Sequence, residues 1–174
     1  STLGSAFLTD VNLQFIREIN PEKTVDSPFE IILSNTLPPQ PGILEIAGSA
    51  FQHSRYFNDP RLQQDKAAAF YVHIVEDSFL RKDKYFAYAL LGDRICGFWV
   101  CFLHRQAKRM IIQLCATHPD FQRQGVFTAI RRAVERKLVD HAIMEIQVGT
   151  QCENFGAIRN YLKNGFSMTQ LNSV

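Results

Sequence analysis

Long hydrophobic runs are missing from this chain. Its 174 residues hold no apolar stretch near the roughly 20 that a membrane-spanning helix needs. No membrane partner is expected on that ground. Charge of one sign is missing too. Nineteen Lys and Arg stand against 17 Asp and Glu, a formal net charge of +2. So small an excess gives no general field for nucleic acid. Cysteine is sparse: Cys96, Cys101, Cys115 and Cys152, without CxxC or other metal-ligand spacing. Neither a metal site nor a disulfide framework is expected from them. Three lie in apolar runs that suit small buried thiols, all four are read as reduced, and the expected location is cytoplasmic. Repeats and low-complexity tracts are absent. The start, Ser1-Thr2-Leu3-Gly4-Ser5, has no basic region followed by an apolar core, so no signal peptide is read there. Lacking an initiator Met, it is expected to belong to a longer or processed chain.

What is present suits a globular domain with a proper core. Hydrophobic residues make up 46% and charged residues 21%. The stretch Met110 to Lys137 organises the rest. Met110 to Ala116 is an apolar run ended by Thr117-His118-Pro119-Asp120, and it reads as a buried strand. Phe127, Ile130, Val134 and Leu138 then recur at helical spacing as one apolar stripe. Arg131, Arg132, Glu135 and Arg136 lie off it; Arg131 and Arg132 read as a solvated face, with charge near a bound phosphate as the other use. Between strand and helix sits Gln122-Arg123-Gln124-Gly125-Val126-Phe127. A glycine loop feeding a helix start converges backbone N–H groups on one spot and suits an anion the size of a phosphate. Such a unit occurs in many α/β domains, so by itself it is weak evidence.

Val11 to Ile16 alternates as a strand would, and Ile31 to Leu33 predicts a short one. Pro38-Pro39-Gln40-Pro41-Gly42 breaks the chain before a helix over Ile43 to Phe51. A second helix is expected from Asp65 to Leu80, with Ala69, Val72, His73 and Glu76 carrying its spacing. Residues 85–91 and 94–103 flank Gly92-Asp93, a hairpin turn pair, and with 110–117 they make an antiparallel meander. Residues 143–149 form the next strand. The helix between should make it parallel to 110–117. Asn154 caps a last helix that Gly165 ends, and a final strand starts at Phe166. The fold class is α/β (α+β): a mixed, mostly antiparallel sheet flanked by helices, with a parallel βαβ unit at residues 110–149. Residues 1–42 read as N-terminal strands and a linker, and 43–174 as the main domain.

This order, with two motifs in it, resembles the GNAT superfamily of acyl-CoA-dependent N-acyltransferases. The first motif is Gln122 to Phe127, similar to the family's Gln/Arg, two residues, Gly, one residue, Gly/Ala, with Phe127 in the last place. The second runs from Asn154 through Ala157 and Tyr161 to Gly165-Phe166. A narrower resemblance, to the dTDP-fucosamine acetyltransferases, lies in Ala50-Phe51-Gln52-His53-Ser54-Arg55-Tyr56 with Asp59-Pro60. The resemblance implies acetyl-CoA as cosubstrate, no metal, and a small-molecule amine, most simply that of a nucleotide-linked amino sugar, as acceptor. It implies that backbone groups of Leu114, Cys115 and Ala116 hold the pantetheine arm. Gln122, Arg123, Gln124, Gly125, Val126, Phe127 and Thr128 would cradle the pyrophosphate. Asn154 would bond the arm and Tyr161 would reach the sulfur as the catalytic residue. His53, Arg55 and Tyr56 would contact the acceptor. A homodimer is left open.

Seven residues make nearly two helical turns, so Asn154 and Tyr161 share a face. In the implied reaction a neutral amine attacks a thioester, and a backbone N–H of strand 110–117 steadies the carbonyl oxygen. A thiol ionises near 8.5 and tyrosine near 10, so full proton transfer from Tyr161 to the thiolate is uphill by roughly 2 kcal/mol. Tyr161 is then a hydrogen-bond donor, or an acid whose pKa is lowered. No general base is identified: Glu145, His53 and His118 are the candidates, and the structural reading of each outweighs the catalytic one. Two other readings stand beside this one: an enzyme acting on protein or peptide amines, and a non-catalytic acyl-CoA-binding module.

Overall fold

The computed structural model describes residues 11–22, 26–51 and 64–173. Seven strands form one sheet: β1 Val11–Glu18, β2 Glu30–Ser34, β3 Lys84–Leu91, β4 Arg94–His104, β5 Arg109–Thr117, β6 Glu145–Gln151 and β7 Ser167–Ser173. Their order across the sheet is β2-β3-β4-β5-β6-β1-β7. Every neighbouring pair is antiparallel except β5 and β6, which are parallel. The meander and the parallel unit at 110–149 stand as expected, but β6 starts two residues later. Ile143 still packs into the core, just ahead of the strand. β1 lies between β6 and β7, one strand in from the edge.

The described helices are α1 Pro41–Ala50, α2 Gln64–Phe79, α3 Val126–Leu138 and α4 Phe155–Lys163. Pro41, in the first turn of α1, suits a helix start because its ring presets φ and its missing N–H would be unpaired there. Ile43, Ile46 and Ala47 of α1 and Val75 of α2 bury against Phe86, Tyr88, Phe98 and Val100 on one sheet face. The buried positions of α2 are Ala67, Tyr71, Val75 and Ser78. The stripe read as Ala69, Val72, His73 and Glu76 is therefore out of phase. His73 and Glu76 point to solvent, with His73 beside Glu76 and Asp77. The larger apolar surface of Tyr71 and Val75 sets the rotation of the helix.

The other sheet face holds the larger core. Phe127, Ile130, Val134 and Leu138 of α3 pack there as the sequence predicted, with Tyr161 and Phe166, over Phe15, Trp99, Met110, Ile112, Ile146 and Val148. Arg131, 2% exposed, overturns the reading of a solvated face, and Glu135 beside it is 0% exposed. They are buried as partners. Glu135 accepts from Arg17 Nε at 2.6 Å and from Arg131 Nη1 at 2.7 Å. Arg131 also donates to Glu22 and to Asn164. Charges can leave water when every one of them is paired and hydrogen-bonded.

Candidate active site

The site begins with a fault in the sheet. Along β4, Val100 faces Leu114 while Cys101 faces Ile112, so Gln113 is an extra residue in β5. Such a bulge bends its strand and breaks the ladder. Pairing between β5 and β6 ends at Ile112↔Val148. Both strands run on, β5 to Thr117 and β6 to Gln151, without pairing to each other. Leu114, Cys115, Ala116 and Thr117 keep only β4 as a neighbour. Alternate backbone groups along that free edge have no strand to bond, as an extended guest would require. The bulge also inverts the facing of side chains. Ile112 packs with the α3 and α4 core, Leu114 against the α1 core, and Cys115 back toward α3 and α4.

The glycine loop lies beyond the end of β5. His118 Nδ1 accepts from Asp120 N, opening a 3-10 turn over Pro119–Phe121. Gln124 Nε2 donates to the Asp120 carbonyl at 2.7 Å. Gly125 is the N-cap of α3 with φ +84°, a left-handed value that costs a side-chain-bearing residue strain. No side chain caps α3, and its first N–H to close a helical bond is that of Ala129, onto Gly125 O. The N–H groups of Val126, Phe127 and Thr128 thus stand at the positive end of the helix. Gln122, Arg123, Gln124 and Gly125 are exposed. Phe127 stays clear of the loop: its ring is buried 4.8 Å from Trp99 and 5.5 Å from Tyr161. A cleft of about 360 Å³ opens beside the loop, its lining including Gly125, Thr128, Arg132, Arg136 and Lys163.

Tyr161 sits where β5 parts from β6, on the α3 side. It is buried among Phe15, Phe127 and Phe166. Its hydroxyl lies 3.4 Å from Cys115 Sγ. Burial pushes the phenol well above 10, helped by the negative charge that Cys115 would carry and by their hydrogen bond. Burial likewise raises the Cys115 thiol to about 11. Both groups are neutral at pH 7, so either can donate in this contact, and the phenol is raised and not an acid of lowered pKa. Asn154 caps α4, its Oδ1 accepting from Ala157 N at 3.1 Å. Its Nδ2 has no acceptor among the described residues.

Two of the base candidates are committed elsewhere. Glu145 takes two bonds from Arg109, at 2.9 and 2.6 Å. His118 uses Nδ1 within its own turn. The third, His53, and the acceptor contacts Arg55 and Tyr56 lie outside the described residues.

The profile of the acetyltransferase (GNAT) family matches residues 43–166. The chain belongs to this GNAT family. It is similar to the spore coat polysaccharide biosynthesis protein SpsD of Bacillus subtilis, at 28% identity over 138 residues, which are 76% of this chain and 47% of that one. It therefore spans about half the length of the curated relative that it matches. A conserved protein of unknown function from Staphylococcus epidermidis shares the fold with a TM-score of 0.67 at 16% identity, over 93% of this chain and 59% of that one. A GNAT family acetyltransferase from Elizabethkingia anophelis, solved with acetyl-CoA bound, shares it at 0.59 and 18%, over 83% and 80%.

Sequence reasoning missed three features of this region. The bulge at Gln113 showed only as one polar residue in an apolar run. The thiol beside Tyr161 had no local signal, since the two are 46 residues apart. The polar alternation Asn12, Gln14 in β1 and Gln147, Gly149, Gln151 in β6 was legible as period two but had no partner until the register was known.

Proposed function

We propose that this chain moves an acetyl group from acetyl-CoA to a primary amine, and that the acceptor is the amine of a nucleotide-linked amino sugar. The carrying observation is the opening between β5 and β6, with a free strand edge on one wall, a helix N-terminus above it and a buried phenol at its base. The pantetheine arm lies along Leu114, Cys115 and Ala116 as an added strand. The pyrophosphate meets the backbone of residues 122–128, and Arg132, Arg136 and Lys163 beside the cleft suit the remaining phosphate. Asn154 Nδ2 donates to the arm.

The amine enters neutral and its lone pair attacks the thioester carbonyl. A backbone N–H of β5 stabilises the oxygen as it takes charge. Collapse breaks the C–S bond, and Tyr161 donates a hydrogen bond to the leaving thiolate. With its phenol raised above 10, full proton transfer is more uphill than for a free tyrosine. The proton lost by the amine passes to water or to a base. His53, Arg55 and Tyr56 complete the acceptor side in this reading. Support for a sugar comes from the segment at 50–60 and from the relative named for polysaccharide biosynthesis.

The test is a panel of amines with acetyl-CoA, including dTDP- and UDP-linked 4-amino sugars and lysine peptides, read by release of free thiol. Thiol release with the sugars bears the reading out. Release with peptides alone moves it to a protein acetyltransferase. Binding of acetyl-CoA without release across the panel makes the chain a binding module.

A further inference from the structure

The sheet face turned away from α3 and α4 carries a run of joined polar side chains across β5, β6 and β1. Arg109 bonds Glu145 and also donates from Nη1 to Gln147 Oε1 at 2.9 Å. Gln147 Nε2 donates to Gln14 Oε1 at 2.8 Å. Gln14 Nε2 donates in turn to Asn12 Oδ1. Asn12 Nδ2, at the end of the run, has no acceptor among the described residues. All five side chains are half-buried, on strands whose other face is core. Gly149 makes room for the ladder: a Cβ there would lie 2.5 Å from Gln14 Nε2.

Its place in the register matters most. The last β5–β6 pair is Ile112↔Val148, and the next residue of β6 is Gly149, opposite Gln14 on β1. The opening in the sheet therefore gives onto Gly149, Gln14 and Asn12 on the side away from Tyr161. A coenzyme held by α3, α4 and the edge of β5 fills its own side. An amine reaching the same carbonyl from the other side passes over the amide ladder. The ladder offers alternating donors and acceptors and, with Glu145 paired to Arg109, no net charge. Such a surface matches hydroxyl groups, which donate and accept at once. It gives a cationic peptide or an alkyl chain nothing complementary.

We propose that Asn12, Gln14 and Gln147 form the acceptor-recognition surface, reading the hydroxyl groups of a sugar that carries the amine. This rests on the acetyl-CoA reading above. The test compares kcat/KM for a dTDP-linked 4-amino sugar with that for butylamine, in wild type, Gln14→Leu and Asn12→Ala, with thermal unfolding as a control for folding. The selectivity ratio should fall roughly fivefold to tenfold in each variant, the loss expected for one or two hydrogen bonds. Should Gln14→Leu not fold, Asn12→Ala at the end of the run decides. An unchanged ratio in a folded variant overturns the proposal, as does a wild type that prefers butylamine. Calorimetry of acetyl-CoA on wild type separates the two readings. If coenzyme binds but the ratio does not move, the ladder alone falls. If no coenzyme binds, both fall.

Discussion

From Arg109 to Ile112, β5 has a neighbour on each side; from Leu114 to Thr117 it has only β4. The closed end is backed by the later turns of α3, where Arg131 and Glu135 join Arg17 beside the Met110↔Ile146 pair. The open end is backed by the first turn of α3, which is capped by no side chain. One strand and one helix thus carry both duties. Where strand edges are paired and the buried charges are matched, the fold gains stability. Where the ladder lapses and the helix start is bare, the fold forgoes stability and leaves the groups that the proposed coenzyme would use.

If that division holds, cuts at the two ends should differ in kind. The largest effect belongs to the closed end. Glu135→Ala leaves a buried Arg131 and a largely buried Arg17 short of a carboxylate, and it should cost about 3–5 kcal/mol. Urea denaturation measures this; a loss under 1 kcal/mol would mean that the cluster is not what holds α3 down. At the open end, Tyr161→Phe should bind acetyl-CoA as wild type does yet turn over about 100-fold more slowly, near 2.7 kcal/mol of barrier. Steady-state kinetics with a competent amine would show it, and an unchanged kcat would take the phenol out of the reaction. Gly125→Val comes third. It forces a branched residue to φ +84° at roughly 1–2 kcal/mol, a strain that the loop backbone relieves by shifting, since the space around it is open. Coenzyme affinity should weaken about tenfold by calorimetry, and equal affinity would place the phosphates elsewhere.

Much of this contrast could be read from residues alone, and the reasons for the rest are physical. The α3 stripe, the Gly92-Asp93 turn, the Asn154 cap and the parallel unit depend on contacts within a short span, where periodicity and turn chemistry suffice. The bulge at Gln113 does not, because an inserted residue is defined only against a partner strand. The seat of β1 between β6 and β7 was hidden in the same way, its pairings joining positions more than 120 residues apart. Arg131 looked like solvent-facing charge because its partner Glu22, like the Arg17 that joins it on Glu135, comes from a distant strand and the segment after it. Phe127 departed from the family motif, yet it lies on the same stripe as Ile130 and Val134, and that stripe turns it inward. A motif names positions along the chain, whereas burial follows the helix phase.

The smallest effect tests the closed end through pH. Glu22 takes bonds from Arg131 Nη2 at 2.6 Å and Arg132 Nε at 2.8 Å. The Arg131 bond is the first cause that holds its carboxyl below the usual value near 4.5, against a counter-pull from desolvation. A carboxylate depressed in the folded state adds stability above its unfolded pKa and loses it as pH falls through the folded one. The stability difference between wild type and Glu22→Gln should therefore be present at pH 7 and shrink as pH drops below about 4.5. It should be modest, because Glu22 is more than a third exposed and water screens its partners. A urea series at several pH values reads it directly. A difference that stays flat from pH 7 to pH 3 would mean that the segment after β1 rests on α3 by packing and not by charge. The contrast between the two ends would then lie in the strand register alone.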